Sequence, residues 1–409
     1  MKRISILLLC VMTLVACSKD DDNETEIEKE VEKSSAKEII SFTFLAGDNE
    51  ALSEDIKASI DKEAKTVTAE VPSGTNVTAL KPTIEVSEKA SVAPENKVAA
   101  DFSEDVKYTV TAEDDSKVEY TVDITVALTN REVLVELYNA NPDNTLEWDL
   151  TDEDISNWNG VILEDNKVNQ LEIDDREITV LPASIVYLTE LEYLDLSRNP
   201  VTSIPKEVGD LSNLEELYLQ SVSLTDLPVE IGNLQKLKYL FVSGKSLTSV
   251  PAEIGNLSNL IELSLSNTSL TQLPKEIGNL TNLKELFLTR TSLTSIPGEI
   301  GNLSSLEFLD LSSNTFTGLP SEIGNLSNLD RLYLHQGKLE SLPAEIGNLS
   351  SLTFLILYVN NLTELPKEIG QLSTLTHLYI YDNEITTIPK EICDLKLLDF
   401  RRGDAVCED

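Results

Sequence analysis

Covalent chemistry needs groups placed to move a proton, hold a metal or attack a carbonyl, and this chain arranges few groups that way. Its two histidines, His335 and His377, occupy different columns of the 23-residue register set out below, two units apart. Strand spacing converts that to about 10 Å or more, too far for one acid–base pair. Glu262 and Glu285 share a column in neighbouring units, and carboxylates about 5 Å apart are the geometry of retaining glycoside hydrolysis. A chain with 71 acidic against 32 basic residues supplies such neighbours without any catalytic purpose. No glycine-rich phosphate loop, metal-spaced Cys/His cluster or nucleophile elbow is present. The expectation is a non-catalytic protein that uses no cofactor and no metal.

Aromatic side chains, by contrast, recur in a regular spacing. Tyr193, Tyr218, Tyr239, Phe241, Phe287, Phe308, Tyr333, Phe354, Tyr358, Tyr379 and Tyr381 are half of the chain's two Trp, eleven Tyr and nine Phe. All fall at the third, fifth or seventh position of a unit, on the strand face opposite to positions four and six. Rings held outside a core offer large contact area at low entropic cost, which suits recognition. These eleven form the candidate ligand surface. The alternative is that Tyr and Phe merely suit strands and shield the sheet.

The element that positions them is a repeat. Leu181-Pro182, Ile204-Pro205, Leu227-Pro228, Val250-Pro251, Leu273-Pro274, Ile296-Pro297, Leu319-Pro320, Leu342-Pro343, Leu365-Pro366 and Ile388-Pro389 follow one another at a fixed interval of 23 residues. In the unit 260–282, Leu260, Leu263 and Leu265 alternate as a short strand does, and Leu270, Leu273, Ile277 and Leu280 continue the apolar set around a coil. One such coil cannot bury its own apolar edges, so the units must stack and the ends need caps. Glu-Ile-Gly-Asn-Leu recurs on the return side, where Gly is expected to permit the turn out of a short helical segment. At position nine, Asn199, Asn314, Asn360 and Asn383 can bond neighbouring backbone in a ladder. Val222, Lys245, Thr268, Thr291 and Gly337 interrupt it, which predicts slightly looser coils over 222–291.

The pattern L-x-x-L-x-L-x-x-N/T-x-L resembles the plant and Ras-group leucine-rich repeats across some 220 residues. The resemblance implies an α/β solenoid, with a parallel concave β-sheet and short convex helical or 3-10 turns. It also implies recognition of a protein ligand, on a host or bacterial surface, through the concave face. A glycan ligand is the alternative, since Tyr and Phe platforms can stack on sugar rings. Repeats occupy 168–397 in this reading, ten units of 23, and the protein is expected to be a monomer.

Ahead of the repeats the chain is read in three parts. Residues 1–16 form an export signal, with Lys2-Arg3, an apolar run from Ile4 and Leu14-Val15-Ala16 before Cys17. Leu-x-Ala-Cys resembles the bacterial lipobox, which implies that Cys17 carries the lipid anchor. Residues 17–37 are acidic and low in hydrophobicity, as in a flexible tether, and resemble the signal that sends Bacteroidetes lipoproteins to the outer face of the outer membrane. A net charge of −39 argues against nucleic-acid binding. Residues 38–128 alternate β-branched and aromatic residues with turns. That segment resembles the immunoglobulin-like β-sandwich modules behind Bacteroidetes lipoprotein signals and is read as a stalk, with a second binding site as the alternative.

Residues 129–167 read as the amino-terminal cap. Thr129-Asn-Arg-Glu132 is a capping box opening a helix over 131–140, and Trp148 and Trp158 are expected to plug the first coil. Residues 398–409 form the carboxyl cap. Cys393 and Cys407 are an even pair for an oxidising compartment, read as a disulfide, with free thiols or a metal pair as alternatives. Arg402-Gly403-Asp404 lies in the loop they would close and matches the tripeptide of integrin ligands, although a turn glycine is needed there anyway.

Overall fold

The computed structural model describes residues 32–408, so the export signal, Cys17 and the tether as far as residue 31 lie outside the described residues. The chain divides into two compact units, ending at and beginning after Val126.

The first unit is all-β. One sheet orders β2 (Ile56–Lys57), β1 (Ile39–Phe44) and β5 (Thr83–Val86). The other orders β3 (Ser59–Asp61), β4 (Thr66–Val71), β8 (Lys117–Val126), β7 (Val106–Thr111) and β6 (Ser91–Ala93). The strand alternation of β8 buries Tyr120, Val122 and Ile124 while Asp123 stays exposed. Phe42 meets Phe44 and Tyr108 edge-on, both at 5.5 Å, in a core that also holds Phe102. Burial pushes the Tyr108 phenol up to about 12. The short β2, β3 and β6 carry too few residues for period-2 alternation to announce them. The tether boundary at Lys37 also shifts. Ser34 N–H donates to Glu113 at 3.0 Å and Lys37 Nζ to Ser116 at 3.0 Å, so this stretch already belongs to the β unit.

The second unit opens with the capping box in place: Glu132 N–H donates to Thr129 Oγ1 and Thr129 N–H to Glu132 Oε2. Helix α1 (Asn130–Ala140) buries Val133, Leu134 and Leu137. Trp148 and Trp158 stack at 5.0 Å, both nearly buried, and Trp148 Nε1 donates to Asn159 O. They cover the start of the long sheet, as core plugs do.

That sheet has twelve strands. The hairpin strand β9 (Val161–Glu164) runs antiparallel to β10 (Lys167–Glu172). From β10 onward every pairing is parallel: β11 (Tyr193–Asp195), β12 (Glu216–Leu219), β13 (Tyr239–Val242), β14 (Glu262–Ser264), β15 (Glu285–Phe287), β16 (Phe308–Asp310), β17 (Arg331–Tyr333), β18 (Phe354–Ile356) and β19 (His377–Tyr379). The register advances by one repeat per strand, Gln170 pairing Tyr193 and Tyr193 pairing Glu216. The leucines at positions one and four are essentially without solvent contact throughout. The return side of nine coils is a five-residue 3-10 turn with Pro as its cap residue, such as Lys275–Asn279, and the last returns through a four-residue helix over Lys390–Cys393, capped by Pro389.

One expectation about the coils is corrected. The glycine of Glu-Ile-Gly-Asn-Leu is not needed for an unusual backbone angle. A Cβ at Gly255 or Gly301 would lie 2.3 Å from the carbonyl oxygen of the next coil's Glu276 or Glu322. It is close approach that excludes a side chain. Other groups bond across the gap in the Asn ladder. Asn199 Nδ2 donates to Ile173 O at 2.8 Å, and Asn314 and Asn360 bond in the same manner. Between them Lys245 Nζ donates to Thr268 O and Arg290 O, and Thr268 Oγ1 to Leu265 O. Strands β12 and β13 run to four residues each, against three in the other strands from β11 to β19.

At the carboxyl end, β20 (Thr387–Ile388), helix α2 (Lys390–Cys393), β21 (Asp399–Arg401) and β22 (Val406–Cys407) close the unit. β21 is the last strand of the long sheet, and β22 pairs with β20. Cys393 and Cys407 are joined in a disulfide, their Cα atoms 6.1 Å apart. Among the described residues no helix is long and apolar enough to cross a membrane.

Candidate binding surface

Because the parallel register repeats exactly one unit per strand, a column of the sequence becomes a row of side chains about 4.8 Å apart across the sheet. Rings in such a row must touch. All eleven aromatics of the candidate surface are half-buried, neither in the core nor free of contact.

They form two patches. In the first, Tyr193 meets Tyr218 at 5.1 Å, and Tyr218 stacks on Phe241 at 5.0 Å with planes 3° apart. In the second, Phe287, Phe308 and Tyr333 meet edge-on at about 5 Å. His335 stacks on Tyr358 at 4.6 Å, and Tyr358 on Tyr381 at 4.8 Å. Phe354 stacks on His377 at 4.2 Å, beside Tyr379. Tyr239 lies in register between Glu216 and Glu262.

The break between the patches is Ser264, the register partner of Phe241 on one side and Phe287 on the other. Its neighbours in the next column are Glu262 and Glu285, paired across β14 and β15. Burial, and then the charge of Glu285, raises the Glu262 carboxyl above its ordinary value. Tyr218 donates to Glu216 at 2.8 Å, and burial first, then that bond, pushes its phenol well up. Tyr193 rises to about 12 by burial, with Asp195 next. The floor of the break is therefore acidic while its walls are aromatic.

Sequence columns located the rings but missed their partners. Both histidines serve as stacking rings here. Burial lowers His335, against the pull of Asp310. Ile356, at an outward position, is covered to 6 % exposure. Arg331 lies 6.0 Å from Phe308 and 5.9 Å from Phe354, and Arg401 lies 4.6 Å over Tyr379. Tyr379 donates to Asp399 at 2.7 Å, and that bond, followed by Arg401, holds Asp399 below the usual carboxylate range. Asp399 and Arg401 were missed because the tenth coil is one residue short: the register steps by 22 from His377 to Asp399, so they take positions three and five where an unbroken 23-residue frame puts Phe400 and Arg402.

Arg402, Gly403 and Asp404 are all exposed, and Gly403 has a left-handed φ of 62°. A Cβ on Gly403 would sit 3.4 Å from Tyr381 Cβ, so the tripeptide adjoins the end of the second patch. Among the described residues, no group of three or more His, Cys, Asp or Glu is placed to hold a metal.

The family model described as SGBP, N-terminal, matches residues 39–124. Leucine-rich repeat region models match 182–289 and 274–360, and a leucine-rich repeat model matches 374–395. A leucine-rich repeat protein of Leptospira interrogans is 34 % identical, with a TM-score of 0.50; the match covers 59 % of this chain and 73 % of that one. The ectodomain of the Arabidopsis thaliana receptor kinase GASSHO1/SCHENGEN3, solved with CASPARIAN STRIP INTEGRITY FACTOR 2, is 29 % identical at a TM-score of 0.57, over 64 % of this chain and 34 % of that one. The Arabidopsis receptor kinase HAESA, solved with the peptide hormone IDA and the co-receptor SERK1, is 27 % identical at 0.54, over 63 % and 46 %. The chain thus spans about a third to a half of these plant ectodomains. No curated protein matches it. With its repeats matched in sequence and in fold, the chain belongs to the leucine-rich repeat family and carries an SGBP-type module ahead of the repeats.

Proposed function

We propose that this is a non-catalytic binding protein of the bacterial cell surface, anchored in the outer membrane through a lipid on Cys17, that recognises a protein ligand through the concave face of its repeats. In this reading residues 38–128 are a stalk, and the eleven aromatics from Tyr193 to Tyr381 are the contact surface. One observation carries the choice of ligand. Tyr218 and Phe241, and Tyr358 and Tyr381, lie 5.0 and 4.8 Å apart with planes 3° from parallel. Within each pair the rings thus cover one another's facing sides and leave their edges for a ligand. A sugar ring needs a free aromatic face, whereas peptide side chains and backbone can pack on edges and bond to hydroxyls. The receptor kinase HAESA, solved with the peptide hormone IDA, agrees with that use of the fold.

A glycan ligand is the second reading, favoured by the SGBP-type module. Affinity capture with the full chain, from host or community extract treated in parallel with protease or with periodate, separates the two. Loss of capture after protease alone supports a protein ligand; loss after periodate alone overturns it in favour of a glycan.

A further inference from the structure

The two ends of the repeat unit are finished differently. At the amino end, helix α1 and the stacked Trp148 and Trp158 cover the first coil. At the carboxyl end the cover is thinner. Positions one and four are at most 3 % exposed in all ten repeats, yet their counterparts in the last coil, Leu397 and Phe400, are only half-buried. Leu398 beside them is 79 % exposed and Val406 57 %, the two largest values among the exposed apolar side chains. A stacked repeat needs a polar outer face on its terminal unit, and here Leu398 and Val406 stand exposed among the charges of that face.

The edge strand says what fits there. In a parallel ladder, alternate residues turn both N–H and C=O to the same neighbour. Asp399 N–H donates to Thr376 O, and Arg401 O accepts from Ile380 N–H, so these two face β19. Phe400, between them, turns its N–H and C=O outward, on the side where β21 has no strand partner among the described residues. A second β21 laid antiparallel about a twofold axis at Phe400 would exchange two N–H···O bonds between the two Phe400 residues. The same axis sets Asp399 opposite the partner copy's Arg401, and Arg401 opposite the partner copy's Asp399, in the more closely spaced pair type. The sequence Asp-Phe-Arg is thus self-complementary in charge about its own centre.

Electrostatics does not oppose a meeting of two copies at this end. The chain carries a net charge of −39, so most surfaces repel their own copies. Across 394–404, Lys396, Arg401 and Arg402 balance Asp394, Asp399 and Asp404.

We infer that β21 is a self-association edge, through which two copies pair antiparallel about Phe400 and continue the long sheet from one molecule into the other. The pairing covers Leu398 and Phe400 and places the aromatic faces of two copies in one continuous sheet. An extended or repeated ligand would then be held at two points, with the gain in avidity that linked sites give.

The test is sedimentation velocity of the full-length chain in detergent across a dilution series, with two charge variants. Wild type should show a dimer that dissociates on dilution. Arg401→Asp sets Asp against Asp, and Asp399→Arg sets Arg against Arg, so each alone should be monomeric, the affinity falling about tenfold or more. Mixed one to one, the two variants become complementary and should form a heterodimer, a recovery that loss of a merely structural contact cannot produce. A wild type that stays monomeric at its highest soluble concentration overturns the proposal. So does a single variant that remains dimeric, or a mixture that stays monomeric.

Discussion

Glu262 stands directly across the β14–β15 ladder from Glu285, the two carboxylates side by side at the break between the aromatic patches. Burial and that neighbour raise Glu262 above its ordinary value. The folded chain therefore holds the proton more tightly than the unfolded one, so the group's contribution to stability is fullest below the unfolded carboxylate value and fades as pH rises through the higher folded one. The pair is also only partly covered, so solvent screening limits the effect.

Glu262→Gln removes that penalty. The melting temperature should rise by roughly 1–2 °C at neutral pH and stay unchanged at pH 4 and below, where the carboxyl is already protonated. An equal rise at both pH values would trace the effect to packing and not to charge.

The binding prediction concerns the patch edges. Phe241 and Phe287 flank the break, with Tyr218 stacked on Phe241, and their half-buried rings project from a sheet whose core lies on the other side. Changing all three to Ala should abolish ligand capture. Each lost ring contact should cost only about 0.5–1.5 kcal/mol of stability, so circular dichroism should still report a folded solenoid. Undiminished capture by a folded triple variant would move the site to the caps, the stalk or the convex side.

The glycines give a prediction about the other side of the coil. Gly255→Ala would set a Cβ 2.3 Å from Glu276 O, which is backbone and cannot swing away. The coils must part, and the loss should be about 1–3 kcal/mol, the scale of overpacking. Gly318→Ala is the control, since its nearest neighbour would be Ser341 Oγ at 3.9 Å. Urea denaturation of both should show a lower midpoint for Gly255→Ala alone.

Those glycines also mark what a single sequence can and cannot convey. Period and alternation are one-dimensional properties of the chain, so the columns holding Tyr193 or Phe287, and the capping box at Thr129, could be read directly. The Gly255–Glu276 approach is a distance between coils, and nothing in the residue types distinguishes it from a turn requirement. The same holds for the sites of contact on the face. Spacing puts Tyr358 and Tyr381 in one column, but whether they stack or meet edge-on depends on rotamers chosen against neighbours such as His335. Ser264 was visible as a gap in the column, though its importance depends on Phe241 and Phe287 flanking it in register. Short strands such as Ile56–Lys57 lack the length to show a period at all.

His335 carries the last prediction. Its ring packs between Tyr333 and Tyr358, and its buried Nδ1 has no hydrogen-bond partner among the described residues. Burial holds the imidazole below its ordinary value, with Asp310 pulling the other way. The unfolded chain therefore takes up a proton at higher pH than the folded one does. Stability from this site is complete above the unfolded value near 6.5 and is lost as pH falls through the folded one. The acid side of the stability profile should thus carry a component that begins below about pH 6.5, well before the carboxylates titrate. His335→Phe keeps a flat ring in the stack between Tyr333 and Tyr358 and has no proton to take up, so that component should vanish while the melting temperature at pH 8 moves little. Measuring melting temperature against pH for both proteins decides it: parallel curves between pH 8 and 5 would show that the ring stack is indifferent to the charge on His335.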